Sequence, residues 1–227
     1  MSRTPVKVLN KTSVSEPRES AVVTVLRAAV SDAAAGVLSF SVPAGEAHVL
    51  VGPAGSGKSA WLERIAGARP PTRGGVELLG ADLGRLAARD RPRLRRRIGM
   101  VFQTPRLVAD LTARDNLALA VRAAGRDSSP FEGDIKAVLA WVGLGRRGHF
   151  PPADLDVEGR RRLALARAVI NRPDLVIVDE PAGEGGMGLL RLLADLNASG
   201  TPLLMATRDE DLAEGCGAEV TRLGVPT

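Results

Sequence analysis

The chain has 227 residues and a formal net charge of +5, a length that suits one domain or a core with a modest insertion. Hydrophobic residues make up 44% and charged residues 25%, enough to bury a sizeable core, so wholesale disorder is excluded. No apolar run reaches the about eighteen residues of a transmembrane helix. The single cysteine, Cys216, cannot form an internal disulfide, so a reducing cytoplasm is the expected compartment and Cys216 is read as an inert small residue.

The positive charge invites a nucleic-acid reading, but its distribution argues against one. Only four of the 31 basic residues are lysines (Lys7, Lys11, Lys58, Lys136), and with the many alanines this points to a compositional bias toward arginine. Aromatic residues are 3% with no tyrosine, so there is no stacking platform for single strands. The densest basic run, Arg91-Pro92-Arg93-Leu94-Arg95-Arg96-Arg97, reads as a solvated helix end ahead of an apolar segment. No nucleic-acid partner is expected.

In chain order, residues 1–20 read as a flexible basic tail without the apolar stretch of a secretory signal. Residues 22–30, 37–42 and 47–51 are short β-type runs separated by Gly, Ala and Pro-Ala-Gly turns. A helix is predicted over 59–68, then strands over 76–79 and 98–102. Segments 111–124 and 135–142 carry apolar residues at three- and four-residue spacing, and a third helix is predicted over 157–171, ending before Pro173. The α/β alternation then resumes, with a strand over 175–178, a helix over 187–198, a strand over 203–207, a short helix and a last strand near Val220. The expected assembly is an α/β nucleotide-binding core, about 21–105 and 161–227, with a helical insertion at about 106–160.

Gly52-Pro53-Ala54-Gly55-Ser56-Gly57-Lys58-Ser59 matches G-x-x-x-x-G-K-[ST], between a predicted strand ending at Val51 and a predicted helix. Such a loop curls so that successive N–H groups point at a β-phosphate, with the positive end of the helix dipole behind them. Lys58 would reach the β- and γ-phosphates, and Ser59 would place its hydroxyl on Mg²⁺. Ala60 stands next in the cradle. The second half of such a site is an acidic residue ending a buried strand, which Leu175-Val176-Ile177-Val178-Asp179-Glu180 supplies. Asp179 would hold Mg²⁺ and Glu180 would polarise the attacking water as general base. The residues alone predict a P-loop NTPase that binds a nucleoside triphosphate.

Three further segments narrow the class. Ile98-Gly99-Met100-Val101-Phe102-Gln103 resembles the glutamine loop of ABC-transporter ATPases, and so does Leu111-Thr112-Ala113-Arg114-Asp115-Asn116-Leu117 after it. Arg162-Leu163-Ala164-Leu165-Ala166-Arg167-Ala168 resembles that family's signature helix and leads through Asn171-Arg172-Pro173 to the carboxylate strand. The resemblance covers about residues 21–224 and favours the FtsE, LolD and MacB-type subunits. It implies a RecA-like core with an antiparallel β subdomain and an inserted α-helical subdomain. It implies an ATPase that dimerises head to tail around two Mg-ATP molecules and drives an integral-membrane permease of the FtsX/MacB type, from the cytoplasmic face of the inner membrane. Gln103 would then be a ligand of Mg²⁺ and water that also senses the permease.

The chain departs from the family where it faces a partner. Leu155-Asp156-Val157-Glu158-Gly159 stands where the family has Leu-Ser-Gly-Gly-Gln or Glu, whose serine and glycine amides donate to the partner's γ-phosphate. Val157 cannot offer the glycine's close backbone approach. Asp156 and Glu158 bring negative charge toward a polyphosphate, and two unit charges at about 4 Å repel by about 4 kcal/mol at an effective dielectric near 20. Loss of a transition-state donor adds about 3 kcal/mol to a barrier. Asp156 is also a good N-cap for a helix starting at Val157. The family's switch histidine falls at Arg208, and Ala182-Gly183-Glu184-Gly185-Gly186 lacks the family's leucine and aspartate. A hydroxyl residue is missing at Ala60, and an aromatic for adenine is missing around Ala28 and Ala29. His48 and His149 fall at no catalytic position and are read as structural.

Groups that serve the chain's own triphosphate are kept, and groups offered to a partner's triphosphate are degraded. The expectation is an ABC ATPase subunit paired with a second, intact-signature ATPase, a heterodimer in preference to a homodimer. The alternative is a pseudo-ATPase that binds ATP and scaffolds or regulates a membrane partner without turnover.

Overall fold

The computed structural model describes residues 22–29, 37–66, 72–126, 131–183 and 186–224; the side chains of 24–29 and the predicted tail 1–20 lie outside this description. Nine strands and seven α-helices are formed among the described residues: β1 (Val23–Ala29), β2 (Leu38–Val42), β3 (Ala47–Val51), α1 (Lys58–Ile65), β4 (Arg73–Leu78), β5 (Ala81–Asp82), α2 (Arg91–Arg95), β6 (Ile98–Val101), α3 (Ala113–Ala123), α4 (Glu132–Trp141), α5 (Val157–Val169), β7 (Leu175–Asp179), α6 (Gly186–Ala198), β8 (Leu203–Thr207), α7 (Glu210–Gly215) and β9 (Glu219–Arg222).

The strands form two sheets. One has four antiparallel strands in the order β2-β1-β4-β5, and the other has five parallel strands in the order β6-β7-β8-β3-β9. Strands β7 and β8 are buried along their whole length, because helices cover both faces of a parallel sheet. That is why both read as unbroken apolar runs rather than alternating ones. One core cluster joins α3, α4, α5 and α6 to the sheet, and the second joins α1, through fully buried Trp61, Leu62 and Ile65, to the antiparallel sheet.

The order β7-β8-β3 sets the C-terminal ends of three neighbouring strands side by side, the usual place for a ligand in a parallel α/β sheet. Parallel register aligns Val51 of β3 with Thr207 of β8, and Asp179 of β7 with Ala206 of β8. The residues that follow these strands, from Gly52, Glu180 and Arg208, therefore open onto one edge. Helix α5 lies close against β6: a methyl group at Gly99 would come within 2.6 Å of the Ala168 carbonyl oxygen, so only glycine allows that approach.

The segment from Gln103 to α3 is fixed by one buried amide. Asn116 accepts from the Val108 N–H at 2.9 Å and donates to the carbonyls of Val108, Leu111 and Thr112 at 3.0–3.1 Å. Thr112 caps α3 by accepting from the Asp115 N–H at 3.1 Å. Asp156 caps α5 in the same way, accepting from the Gly159 N–H at 2.7 Å.

Differences from the sequence-based expectations are small and local. Helix α1 spans Lys58–Ile65 rather than 59–68, and β4 begins at Arg73 because its first residues pair with β1. The arginine run contains its own short helix, α2, anchored by buried Leu94.

Candidate functional site

The loop after β3 turns through Gly55 (φ +80°) and Gly57 (φ +87°), and the second of these is the N-cap of α1. A left-handed backbone at that cap favours glycine and aims the first N–H groups of α1 into the loop. Lys58 is the first residue of α1 and is buried. Its ammonium donates to the Gly52 carbonyl at 2.6 Å, the Pro53 carbonyl at 2.9 Å and Ser56 Oγ at 3.5 Å, so it closes the loop over its own base. Burial lowers the Lys58 pKa; Glu180, 3.9 Å away, opposes that shift, while Arg208 adds to it.

Glu180 is the first residue beyond β7, with its N–H donating to the Ala206 carbonyl at 2.8 Å. Its backbone is left-handed (φ +52°), an uncommon state for a non-glycine residue that turns the side chain sharply away from the strand direction. The carboxylate then accepts from the Arg208 N–H at 3.1 Å and from Thr207 Oγ1 at 3.4 Å. It also pairs with the Arg208 guanidinium at 3.2 Å.

A cavity of about 290 Å³ is lined by Ala54, Gly55, Gly57, Lys58, Ser59 and Ala60 on one side and by Gln103, Glu180 and Arg208 on the other. Gly52, Pro53 and Ser56 lie under this lining as the lysine's acceptors. The structure thus brings the phosphate loop, Gln103, Glu180 and Arg208 together. It does not bring residues 155–159 to that cavity. Leu155 is in the core, Asp156 is on its cap, and Asp156, Glu158 and Gly159 border a separate cavity of about 560 Å³ against the C-terminal end of α4.

The donors expected for Mg²⁺ fit that ion. Asp179 is buried with Oδ1 lacking any hydrogen-bond partner, and its carboxylate is hydrogen-bonded to the Ser59 side chain. Burial raises the Asp179 carboxyl above its ordinary range, with Ser59 opposing and the Glu180 charge adding to the rise. An unpaired buried carboxylate oxygen, a serine hydroxyl and a glutamine form a hard-oxygen set of the kind Mg²⁺ shares with phosphate oxygens. Among the described residues no group of three or more His, Cys, Asp or Glu could form an all-protein metal cage.

Two participants are not in the expected set. Arg161 of α5 donates to the main-chain carbonyls of Glu180 and Pro181, each at 3.3 Å. The only sequence signal for it is the run Arg160-Arg161-Arg162 after the signature position. Thr207 closes β8 beneath Glu180. Ala28 and Ala29 lie in β1, and Glu184 and Gly185 lie outside the described residues.

Comparison with known proteins agrees with this geometry. The ABC transporter family profile matches residues 36–183. The FtsE cell division ATP-binding protein of Mycobacterium tuberculosis is 34% identical over 192 residues, covering 83% of this chain and 84% of the relative. The Escherichia coli K12 FtsE is 37% identical over 179 residues, covering 77% and 81%. Among solved structures, the dimeric ATP-binding cassette MJ0796 bound to ADP and Pi superposes with a TM-score of 0.78 at 26% identity, covering 89% of this chain and 96% of that one. The cbiO1 cassette of Clostridium perfringens, part of the cbiONQ transporter complex, gives 0.80 at 21% identity over 91% and 87%, a likeness of fold alone. No helix among the described residues is long and apolar enough to cross a membrane. With a P-loop opposite a carboxylate strand, and with these relatives along most of its length, the chain belongs to the ABC transporter ATPase family as an FtsE-like ATP-binding subunit.

Proposed function

We propose that this chain binds Mg-ATP in the cavity between the phosphate loop and Glu180 and uses it to drive a membrane permease of the FtsX/MacB type from the cytoplasmic face. The backbone of residues 52–60 holds the phosphates, and the Lys58 ammonium, which in the empty loop donates to the Gly52 and Pro53 carbonyls, turns to them when they bind. Ser59, Asp179 and Gln103 hold Mg²⁺, which when bound neutralises charge on the β- and γ-phosphates. Glu180 takes a proton from water as the water oxygen attacks the γ-phosphorus and ADP leaves. Arg208 offers a permanent positive charge to the γ-phosphate where the family uses histidine.

The chain works as one half of an asymmetric ATPase pair, its own site completed by a partner with an intact signature. The observation that carries this reading is the contrast between two surfaces. Lys58, Gln103, Glu180 and Arg208 line one cavity, while the face expected to meet the partner's ATP carries Asp156 on its helix cap and Glu158 ion-paired to Arg162, with Arg146 and Arg147 beside them. Replacing Glu180 by Gln in the purified assembly is expected to lower turnover at least about 100-fold, the usual worth of a positioned base, without loss of ATP binding. Unchanged turnover removes Glu180 from this role. The native mass of the assembly tests the pairing: a permease with one copy of this chain and one other ATPase supports it, and two copies of this chain remove it.

A second reading, ATP binding without turnover, is favoured by the ties of the Glu180 carboxylate to Arg208 and Lys58, which occupy it with ion pairs at rest. Phosphate release from the complete assembly decides between the two.

A further inference from the structure

The main chain that carries Glu180 is gripped from α5. Arg161 Nη1 donates to the carbonyls of both Glu180 and Pro181 at 3.3 Å, and the same Glu180 carbonyl accepts from the Gly183 N–H at 3.5 Å. The guanidinium lies against Gly183: a methyl group there would come within 2.9 Å of Cζ and 3.0 Å of Nη1, closer than side chains pack. Arg161 therefore fills the one space that a side chain at 183 would need. Four residues upstream of Arg161, α5 starts at Val157, immediately after the Asp156 cap. Its neighbour Arg162 is held apart from this contact by an ion pair with Glu158.

Glu180 needs such a grip. Its left-handed φ of +52° is strained for a non-glycine residue and persists only where surrounding contacts over-determine it. On the strand side the Glu180 N–H is tied to β8, and on the far side its carbonyl is held, among the described residues, by Gly183 and Arg161. Without the guanidinium the peptide between Glu180 and Pro181 loses its charge-assisted donor, and the carboxylate loses the backbone direction that points it at Lys58 and Arg208.

We propose that Arg161 is a positioning residue: it locks the strained main chain of Glu180 and makes the base move with the N-terminal end of α5, the end that faces a partner's nucleotide. This inference rests on the reading of Glu180 as the base. A shift of α5 on contact with a partner's Mg-ATP pulls or releases the Glu180 peptide directly, through one side chain and two hydrogen bonds.

The test compares Arg161→Gln, Arg161→Lys and Gly183→Ala, each alone and with Glu180→Gln, in the assembled complex. The expected result is a five- to fiftyfold fall in kcat for Arg161→Gln with KM for ATP within twofold, partial rescue by Arg161→Lys, and no further fall when Arg161→Gln is added to Glu180→Gln. Gly183→Ala should lower kcat in the wild-type background and do no added harm beside Arg161→Gln, since the alanine then has room. In the isolated chain without nucleotide, Arg161→Gln should speed hydrogen exchange at residues 180–183 at least tenfold, with the thermal midpoint unchanged within about 2 °C. A kcat within twofold of the parent, a loss that multiplies with that of Glu180→Gln, or unchanged exchange at 180–183 overturns the proposal. If Glu180→Gln itself leaves turnover intact, the base reading fails and this inference goes with it. If Glu180→Gln abolishes turnover and Arg161→Gln does not, only this inference fails.

Discussion

Arg208 and Glu180 form a two-point contact at the mouth of the cavity: the guanidinium Nε lies 3.2 Å from one carboxylate oxygen, and the Arg208 main-chain N–H donates to the other at 3.1 Å. The side chains differ in exposure, 55% for Arg208 against 12% for Glu180, so the arginine is the member open to an incoming anion. An incoming γ-phosphate offers the guanidinium a stronger anion, whereas ADP offers it none. Arg208→Gln is therefore expected to weaken ATP binding about five- to tenfold while ADP binding stays within about twofold. That corresponds to roughly 1 kcal/mol, a charge-assisted hydrogen bond discounted for solvent exposure. Calorimetric titration with both nucleotides checks it. Equal losses for ATP and ADP, or none, would show that Arg208 serves only Glu180.

Asp156 separates an observed helix cap from the role proposed for residues 155–159 at a partner's nucleotide. Its carboxylate caps α5 through the Gly159 N–H, so Asp156→Ala should cost about 1 kcal/mol and roughly 2–4 °C in thermal midpoint. Serine caps as well as aspartate but carries no charge. On the proposed pairing, Asp156→Ser should then keep the midpoint and raise turnover of the assembly several-fold by removing a negative charge from the face proposed to meet the partner's ATP. If Asp156→Ser is no more active than the parent, charge at 156 is not what limits the partner's site.

What could be read from the sequence follows from how far apart the cooperating residues lie. The phosphate loop is a contiguous string whose chemistry dictates its spacing, and β7 announces itself because a strand buried on both faces must be apolar throughout. The capping role of Asp156 was equally legible, since its partner is three residues away. The contact of Arg161 with Glu180 spans 19 positions and goes to a carbonyl, which leaves no mark on residue identity at the receiving end. Pairing of Arg208 with Glu180 depends on β7 and β8 being neighbours, a fact of sheet order. The arginine run reads as a helix end, and that it forms a separate short helix, α2, is not legible: in Arg91-Pro92-Arg93-Leu94-Arg95 only Leu94 is buried, too few apolar positions to show a period.

Asp179 is built for function at the expense of the empty fold. Burial holds its carboxyl above the ordinary carboxylate range, and Oδ1 has no partner. The folded chain thus binds this proton more tightly than the unfolded chain, so stability from this group falls as pH rises from the ordinary value of 3.8 through the raised one. Above both values the whole penalty is present. Asp179→Asn should consequently raise the thermal midpoint of the nucleotide-free chain by roughly 2–4 °C, about 1 kcal/mol, while abolishing the extra stabilisation that Mg²⁺ adds to ATP. Thermal unfolding with ATP, with and without Mg²⁺, reads both effects. A variant less stable than the parent would show that the carboxylate is satisfied in the resting chain.

His48 gives the opposite pH dependence from a place far from the site. It is fully buried in β3, stacked on Phe40 with ring centroids 4.5 Å apart, and its Nε2 shares a 2.9 Å hydrogen bond with Thr221 Oγ1 of β9. Burial lowers its pKa below 6.5, with Glu219 at 3.6 Å from Nδ1 opposing the shift. The unfolded chain therefore takes up a proton near pH 6.5 that the folded chain refuses. Stability from this group is complete above pH 6.5 and is lost as pH falls toward the lower folded value, by up to about 1.4 kcal/mol per pH unit. Thermal midpoints measured from pH 7.5 down to 5.5 should drop in the parent. His48→Gln can still hydrogen-bond Thr221 but does not titrate, so its midpoint should be lower at pH 7.5 and nearly level across the same range. An equal acid-side drop in both proteins would place the titrating group elsewhere and leave His48 as a packing residue between β3 and β9.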